Sequence, residues 1–156
     1  MDDIDRTLIG LLQQDATQSY ATLGTAVGLS SGAAHERVRK LRERGVIRRT
    51  TVDVDPVAVG RGVLAYVMID GTTWMGDTQQ ALAAIPEIEE AHVIAGPASL
   101  LVKVRATTTQ DLQLILRKLF DIHGVAKTQT IVALETFFER PVHIPTPPGA
   151  DGPIPG

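Results

Sequence analysis

Apolar positions recur at helical spacing through roughly the first fifty residues and in short continuous or alternating runs beyond residue 62. Ile4, Leu8, Leu11 and Leu12 form a stripe for an opening helix, which Asp2 or Asp3 can cap. Ser19 caps a second helix, with Leu23, Ala26 and Val27 on its inner side. Gly28 permits the positive φ of a helix C-terminus, and Leu29 plugs the corner. Ser30 caps a third helix beginning near Ser31, in which Ala34, Val38 and Leu41 share one face. Gly45 ends that helix, and Val46 and Ile47 begin an extended segment.

Residues 49–55 carry β-branched Thr50, Thr51, Val52 and Val54 and read as extended, until Pro56 breaks the run. Elements then alternate. Strands are expected over 63–69, 88–95, 100–105 and 127–137. A helix over 77–85 is stopped by Pro86. A second helix, capped by Thr109 and closed by Gly124, gathers Leu112, Ile115, Leu116 and Leu119 on one face. The order strand–helix–strand–strand–helix–strand is that of a ferredoxin-like βαββαβ sandwich. The predicted class is α+β: a helix-turn-helix domain of winged type over 1–49, a connecting strand and linker over 50–62, the sandwich over 63–140, and a Pro/Gly-rich tail over 141–156. Two helices cover one sheet face, and a second subunit is expected to cover the other.

Composition narrows the class. A chain of 156 residues suits one ordinary domain or two small ones, and 44% hydrophobic residues can fill their cores. No apolar run approaches the roughly twenty residues of a membrane span. The acidic start, Met1-Asp2-Asp3-Ile4-Asp5, is unlike a secretory signal, so the expected location is the cytoplasm. There is no cysteine, hence no disulfide and no thiolate metal site.

Charge is concentrated. The chain has net charge −3, yet Arg37, Arg39, Lys40, Arg42, Arg44, Arg48 and Arg49 crowd the third helix and its exit against only Glu36 and Glu43. A basic helix is often just a solvated face, but so local a charge in an acidic protein suits phosphate contact. Helical phase places Ser31, Gly32, His35, Glu36, Arg39 and Lys40 on the outer face of this helix, for the major groove of double-stranded DNA. Arg48 and Arg49 follow for phosphates. Arg37 falls nearer the buried stripe and is expected to pair internally.

Across residues 2–140 the chain resembles the Lrp/AsnC, or feast/famine, family of transcription regulators. The likeness is carried by I-D-R-T-L-I-G-L-L-Q-Q-D-A, then L-G-T-A-V-G-L-S followed by E-R-V-R-K-L-R-E-R-G-V-I, and by G-V-A-K-T-Q-T near Thr130. The resemblance implies a DNA-binding regulator that forms homodimers and joins them into tetramers or octamers. It also implies an amino acid or related small molecule bound between dimers, near Gly96, Ser99, Thr128 and Thr130, with His92 lining the pocket. One departure stands out. The family commonly has Gly-x-x-Asp at this turn, and here it is Gly96-Pro97-Ala98-Ser99. Serine offers a neutral hydroxyl where an aspartate would meet an ammonium group.

Other readings are weaker. His35, His92, His123 and His143 lie in separate elements with no metal-ligand spacing, so no metal and no cofactor is expected. Glu87, Glu89 and Glu90 read as a solvated strand entry, and Trp74 as a loop or interface anchor. An enzyme is not expected. The alternatives are a decarboxylase of haem precursors on the same fold, which scattered histidines argue against, and a low-specificity DNA-architectural protein.

Overall fold

The computed structural model describes residues 1–71 and 78–145. The chain forms two compact units, one of residues 1–52 with the segment from Glu139, the other of residues 53–138. In the first unit, three helices follow from local signals: α1 (Asp3–Gln14), α2 (Tyr20–Val27) and α3 (Ser31–Glu43). Asp2 caps α1 by accepting from the Asp5 amide, while the Asp5 carboxylate accepts from the Asp2 amide, a reciprocal capping box. Ser19 and Ser30 cap the next two helices through the amides of Thr22 and Ala33.

The turn between α2 and α3 is tight for two reasons. Gly28 closes α2 at φ 71°, in the left-handed region. Gly24 lets the chain fold back on α2: a Cβ there would stand 2.6 Å from the carbonyl oxygen of Leu29. Gly24 is therefore buried and the Leu29 amide donates to its carbonyl at 2.8 Å, whereas Ala26, expected on the inner side, is exposed. Leu8, Leu23, Ala34 and Val38 are fully buried where the three helices meet. No strand lies between α3 and residue 63, so the wing expected after the helices is absent. Of the tail, residues 146–156 lie outside the described residues. Val142 accepts a hydrogen bond at 3.0 Å from Gln13 Nε2 of α1.

The second unit contains β1 (Val63–Gly71), α4 (Thr78–Ala83), β2 (Ile88–Val93), β3 (Leu100–Ala106), α5 (Thr109–Phe120) and β4 (Val125–Val132). The sheet order is β2-β3-β1-β4, with every neighbouring pair antiparallel. Side chains alternate between faces. Ala65, Val67, Ile69, Val102 and Val104 point to the helix-covered face and pack with Leu82 of α4 and with Leu112, Ile115 and Leu119 of α5.

Several expected boundaries move. Thr108, not Thr109, caps α5, accepting from the Asp111 amide at 3.0 Å. The last strand starts at Val125 and stops at Val132 rather than running to Phe137, because its partner β1 begins at Val63: Ala133 makes the final rung, to the Leu64 carbonyl. Leu134 and Phe137 beyond it are 97% and 88% exposed. The second strand ends at Val93, where the Ile94 amide turns to the Ser99 carbonyl. Residues 49–55 enter no ladder. Trp74 and the expected start of α4 at Asp77 lie outside the described residues.

The face away from the helices is mixed rather than simply apolar. Register places Tyr66, Met68, Leu101 and Ile131 near one another, with Lys103, Arg105, Glu90 and His92 toward the β2 edge.

The Gly24 contact yields a prediction. Gly24→Ala should destabilise the helical unit by about 1–3 kcal/mol, because backbone rather than a movable side chain stands in the way. Thermal melting followed by circular dichroism checks this, and an unchanged midpoint would show that the turn opens freely.

Candidate nucleic-acid interface and ligand turn

The third helix sorts its basic residues into two sets. Ala34, Val38 and Leu41 face the core, and Arg37 turns with them. Arg37 Nη1 lies 2.7 Å from Asp2 Oδ2 and 2.9 Å from Asp5 Oδ1, so it joins α3 to the capping box of α1. Its pKa is raised, first by the Asp2 hydrogen bond and then by that of Asp5. The Asp2 carboxyl is held below its ordinary value by the Asp5 amide and by Arg37.

The opposite face carries the residues read from helical phase. Ser31, Gly32, His35, Arg39 and Lys40 are exposed and Glu36 is half-buried. They form a linked set. Arg39 grips Glu36 with two hydrogen bonds, Nε to Oε2 at 2.8 Å and Nη2 to Oε1 at 2.7 Å, and reaches Glu43 with Nη1. Lys40 Nζ stands 3.5 Å from Glu36 Oε1. The His35 ring meets Tyr20 edge-to-face at 4.6 Å between centroids. Arg48 and Arg49 are exposed beyond Gly45, and no ion pair ties either to another described residue.

Such exposed pairs are weak in water, so phosphate or a base edge can replace the carboxylate on Arg39. A guanidinium fork suits guanine O6 and N7, and a carboxylate can accept from cytosine N4. The face thus offers a donor and an acceptor side by side.

The expected ligand residues are spread out. Gly96 is exposed in the turn after β2, with nothing within 4 Å of where a Cβ would point. Ser99 ends that turn, and its amide donates to the Ile69 carbonyl at 3.1 Å. Thr128 is the cross-strand partner of the same Ile69, and Thr130 that of Val67, so both lie on the helix-covered side of the β4 edge. His92 lies on the opposite face of the other edge strand, 3.1 Å from Glu90 Oε2. The register sorts these residues by face: Ser99, which meets Asp70, shares its face with His92, two positions along the β2–β3 ladder, whereas Thr128 and Thr130 lie on the helix-covered face.

Sequence reasoning missed Asp70. Ser99 Oγ donates to Asp70 Oδ1 at 3.0 Å, a contact between residues 29 apart. Only the position of Asp70 before Gly71 at a strand end hinted at it. The acidic trio lies at the entry to β2, with Glu89 and Glu90 exposed, and it is ion-paired there. Glu89 lies 3.0 Å from Arg105 Nε, Glu90 3.7 Å from Lys103 and Glu87 3.9 Å from Lys118, because β2 lies beside β3 and the α5 side.

A groove of about 550 Å³ runs between α4 and β2, past Leu82, Ile88, Val93 and Leu100. Among the described residues no three His, Asp or Glu side chains are grouped to hold a metal, and no helix is long and apolar enough to cross a membrane.

Comparisons with known proteins agree with both units. Residues 1–42 match the AsnC-type helix-turn-helix domain, and residues 63–142 match the Lrp/AsnC ligand binding domain. The HTH-type transcriptional regulator FL11 of Pyrococcus horikoshii is 34% identical over 140 residues, 89% of this chain and 93% of that protein. The HTH-type transcriptional regulator LrpA of Mycobacterium tuberculosis is 33% identical over 93% of this chain and 97% of its own length. Among solved structures, a feast or famine regulatory protein of M. tuberculosis complexed with L-methionine has a TM-score of 0.86 at 33% identity. It covers 92% of this chain and 99% of that one.

The Glu36 clamp can be tested by acid. Arg39 hydrogen bonds lower the Glu36 pKa from 4.5 to about 2. A depressed carboxyl contributes stability that is fully present above the unfolded value and is lost as pH falls toward the folded one, here between 4.5 and about 2. Carboxyl NMR at about pH 4, near the ordinary range, should find Glu36 ionised in the native protein and substantially protonated in Arg39→Ala. Equal protonation in the two would contradict the clamp.

Proposed function

The chain belongs to the Lrp/AsnC family of transcriptional regulators, and from that premise we propose how its residues divide the work. It is a DNA-binding regulator, and its reading face is the outer side of α3: Ser31, Gly32, His35, Glu36, Arg39 and Lys40. Arg48 and Arg49 hold phosphates beside it. The observation that supports this most is the inward turn of Arg37, which leaves Arg39, Lys40 and Arg42 as the exposed cations of α3. No enzymatic step is assigned, and the protein works on cytoplasmic DNA.

The sandwich unit binds the effector and assembles the protein. Tyr66, Met68, Leu101 and Ile131 supply an apolar centre for sheet-on-sheet contact, with charged neighbours to set the register. We read the protein as a homodimer whose dimers join further, with two copies of α3 meeting a two-fold site. The effector is an amino acid, as in the M. tuberculosis relative bound to L-methionine. Ser99, Gly96 and the neighbouring His92 belong to its surroundings on one face, with Thr128 and Thr130 at the β4 edge.

Two substitutions on one helix separate reading from scaffolding. Arg39→Ala should weaken operator binding by about five- to a hundredfold and relax base preference at one position. Arg37→Ala should lower the melting temperature and leave base preference intact. Fluorescence anisotropy with matched and mismatched duplexes measures both, and equal effects on preference would refute the division. Light scattering at micromolar concentration should give at least twice the 16.7 kDa chain mass; a monomer would refute the assembly.

A further inference from the structure

At the Ser99 turn a carboxylate is present, and it comes from a different strand. Asp70 is the next-to-last residue of β1. Its Oδ1 accepts two hydrogen bonds, from Ser99 Oγ at 3.0 Å and from the Gly71 amide at 3.1 Å. The backbone holds the donors in place: the Ser99 amide is fixed to the Ile69 carbonyl, and the Ser99 carbonyl to the Ile94 amide, both at 3.1 Å. Asp70 is thus oriented from two sides while remaining exposed.

Its other oxygen is free of such partners. Among the described residues Oδ2 accepts no hydrogen bond, and no cationic side chain lies within ion-pair distance of the carboxylate. Lys127 is its cross-strand neighbour and makes no ion pair with it. The other acidic side chains of this sheet are differently placed: Glu87, Glu89 and Glu90 all have a cation within 4.0 Å. A carboxylate of an exposed residue, oriented by two donors and without a counter-ion among the described residues, is arranged to receive a cationic donor.

We propose that Asp70 receives the α-ammonium group of the effector, with Ser99 acting as the residue that positions it. This rests on the amino-acid reading above and deepens it. The ligand class is a zwitterion or cation with a primary ammonium, and the neutral Ser99 then costs no affinity, because its hydroxyl orients an acid rather than replacing one. Ser99→Ala should weaken binding less than Asp70→Asn, since it loosens the carboxylate without removing its charge.

Calorimetry on the full chain tests this, with L-methionine and its desamino acid, 4-(methylthio)butanoate, as first probes and the remaining standard L-amino acids after them. The native protein should prefer an amino acid over its desamino form by about tenfold to a hundredfold, the span of one charge-assisted hydrogen bond. Asp70→Asn should bind the two forms alike, so that deleting the ammonium and deleting the carboxylate are not additive. Adding Ser99→Asp to Asp70→Asn should restore the preference. An unchanged preference in Asp70→Asn would overturn the assignment and leave the amino-acid reading standing. Loss of the native oligomer mass in Asp70→Asn would overturn it in favour of pairing between subunits. If the native protein binds none of the probes, both the amino-acid reading and the role of Asp70 fall together.

Discussion

The aim of the third helix depends on one guanidinium held by two aspartates. Arg37 meets Asp2 and Asp5, and those two residues are already committed to each other as the cap of the first helix. The helix start is therefore both an end and an anchor. With Ala34, Val38 and Leu41 buried on the same side, rotation of α3 about its axis is fixed. Everything placed on the outer face, from Ser31 to Lys40, follows from that rotation. The tight turn at Gly24 and Gly28 sets the angle at which α3 leaves α2, and Arg37 sets which side of it faces out.

The outer face does not wait with bare charges. Arg39, Glu36, Glu43 and Lys40 satisfy one another along the helix. On the proposed reading, binding DNA exchanges one partner for another. The cost of parting from Glu36 falls on every sequence alike, while the gain from a matching base edge falls on few, and this difference favours discrimination over raw affinity. The sandwich unit holds the reverse arrangement at Asp70, a negative group oriented by its own protein and without a counter-charge among the described residues.

What was legible in the sequence was local. Ser19, Ser30 and Gly28 announce helix ends because capping needs only neighbours in the chain, and the Ala34-Val38-Leu41 stripe announces a face because helical period does too. The two sorted sets of arginines were legible for the same reason. What was hidden depends on contacts across distance. Gly24 reads as a weak helix residue until the Leu29 carbonyl is seen above it. The last strand reads as long, since nothing local says that its partner β1 begins at Val63. Ser99 reads as a lost acid until Asp70 arrives from another strand. The distance of His92 from Thr128 required the strand order, which periodicity alone does not supply.

The central claim is that a fixed face of α3 reads base sequence. Its most direct test is selection of binding sites by the full-length protein from a pool of random duplexes at physiological salt. The account predicts enrichment of a roughly two-fold motif whose half-sites lie about 10 base pairs, or a multiple, apart. It also predicts an affinity at least about a thousandfold above that for unrelated duplexes. Recovery of no motif, with uniform affinity across the pool, would contradict it and mark the protein as one that holds DNA without reading it.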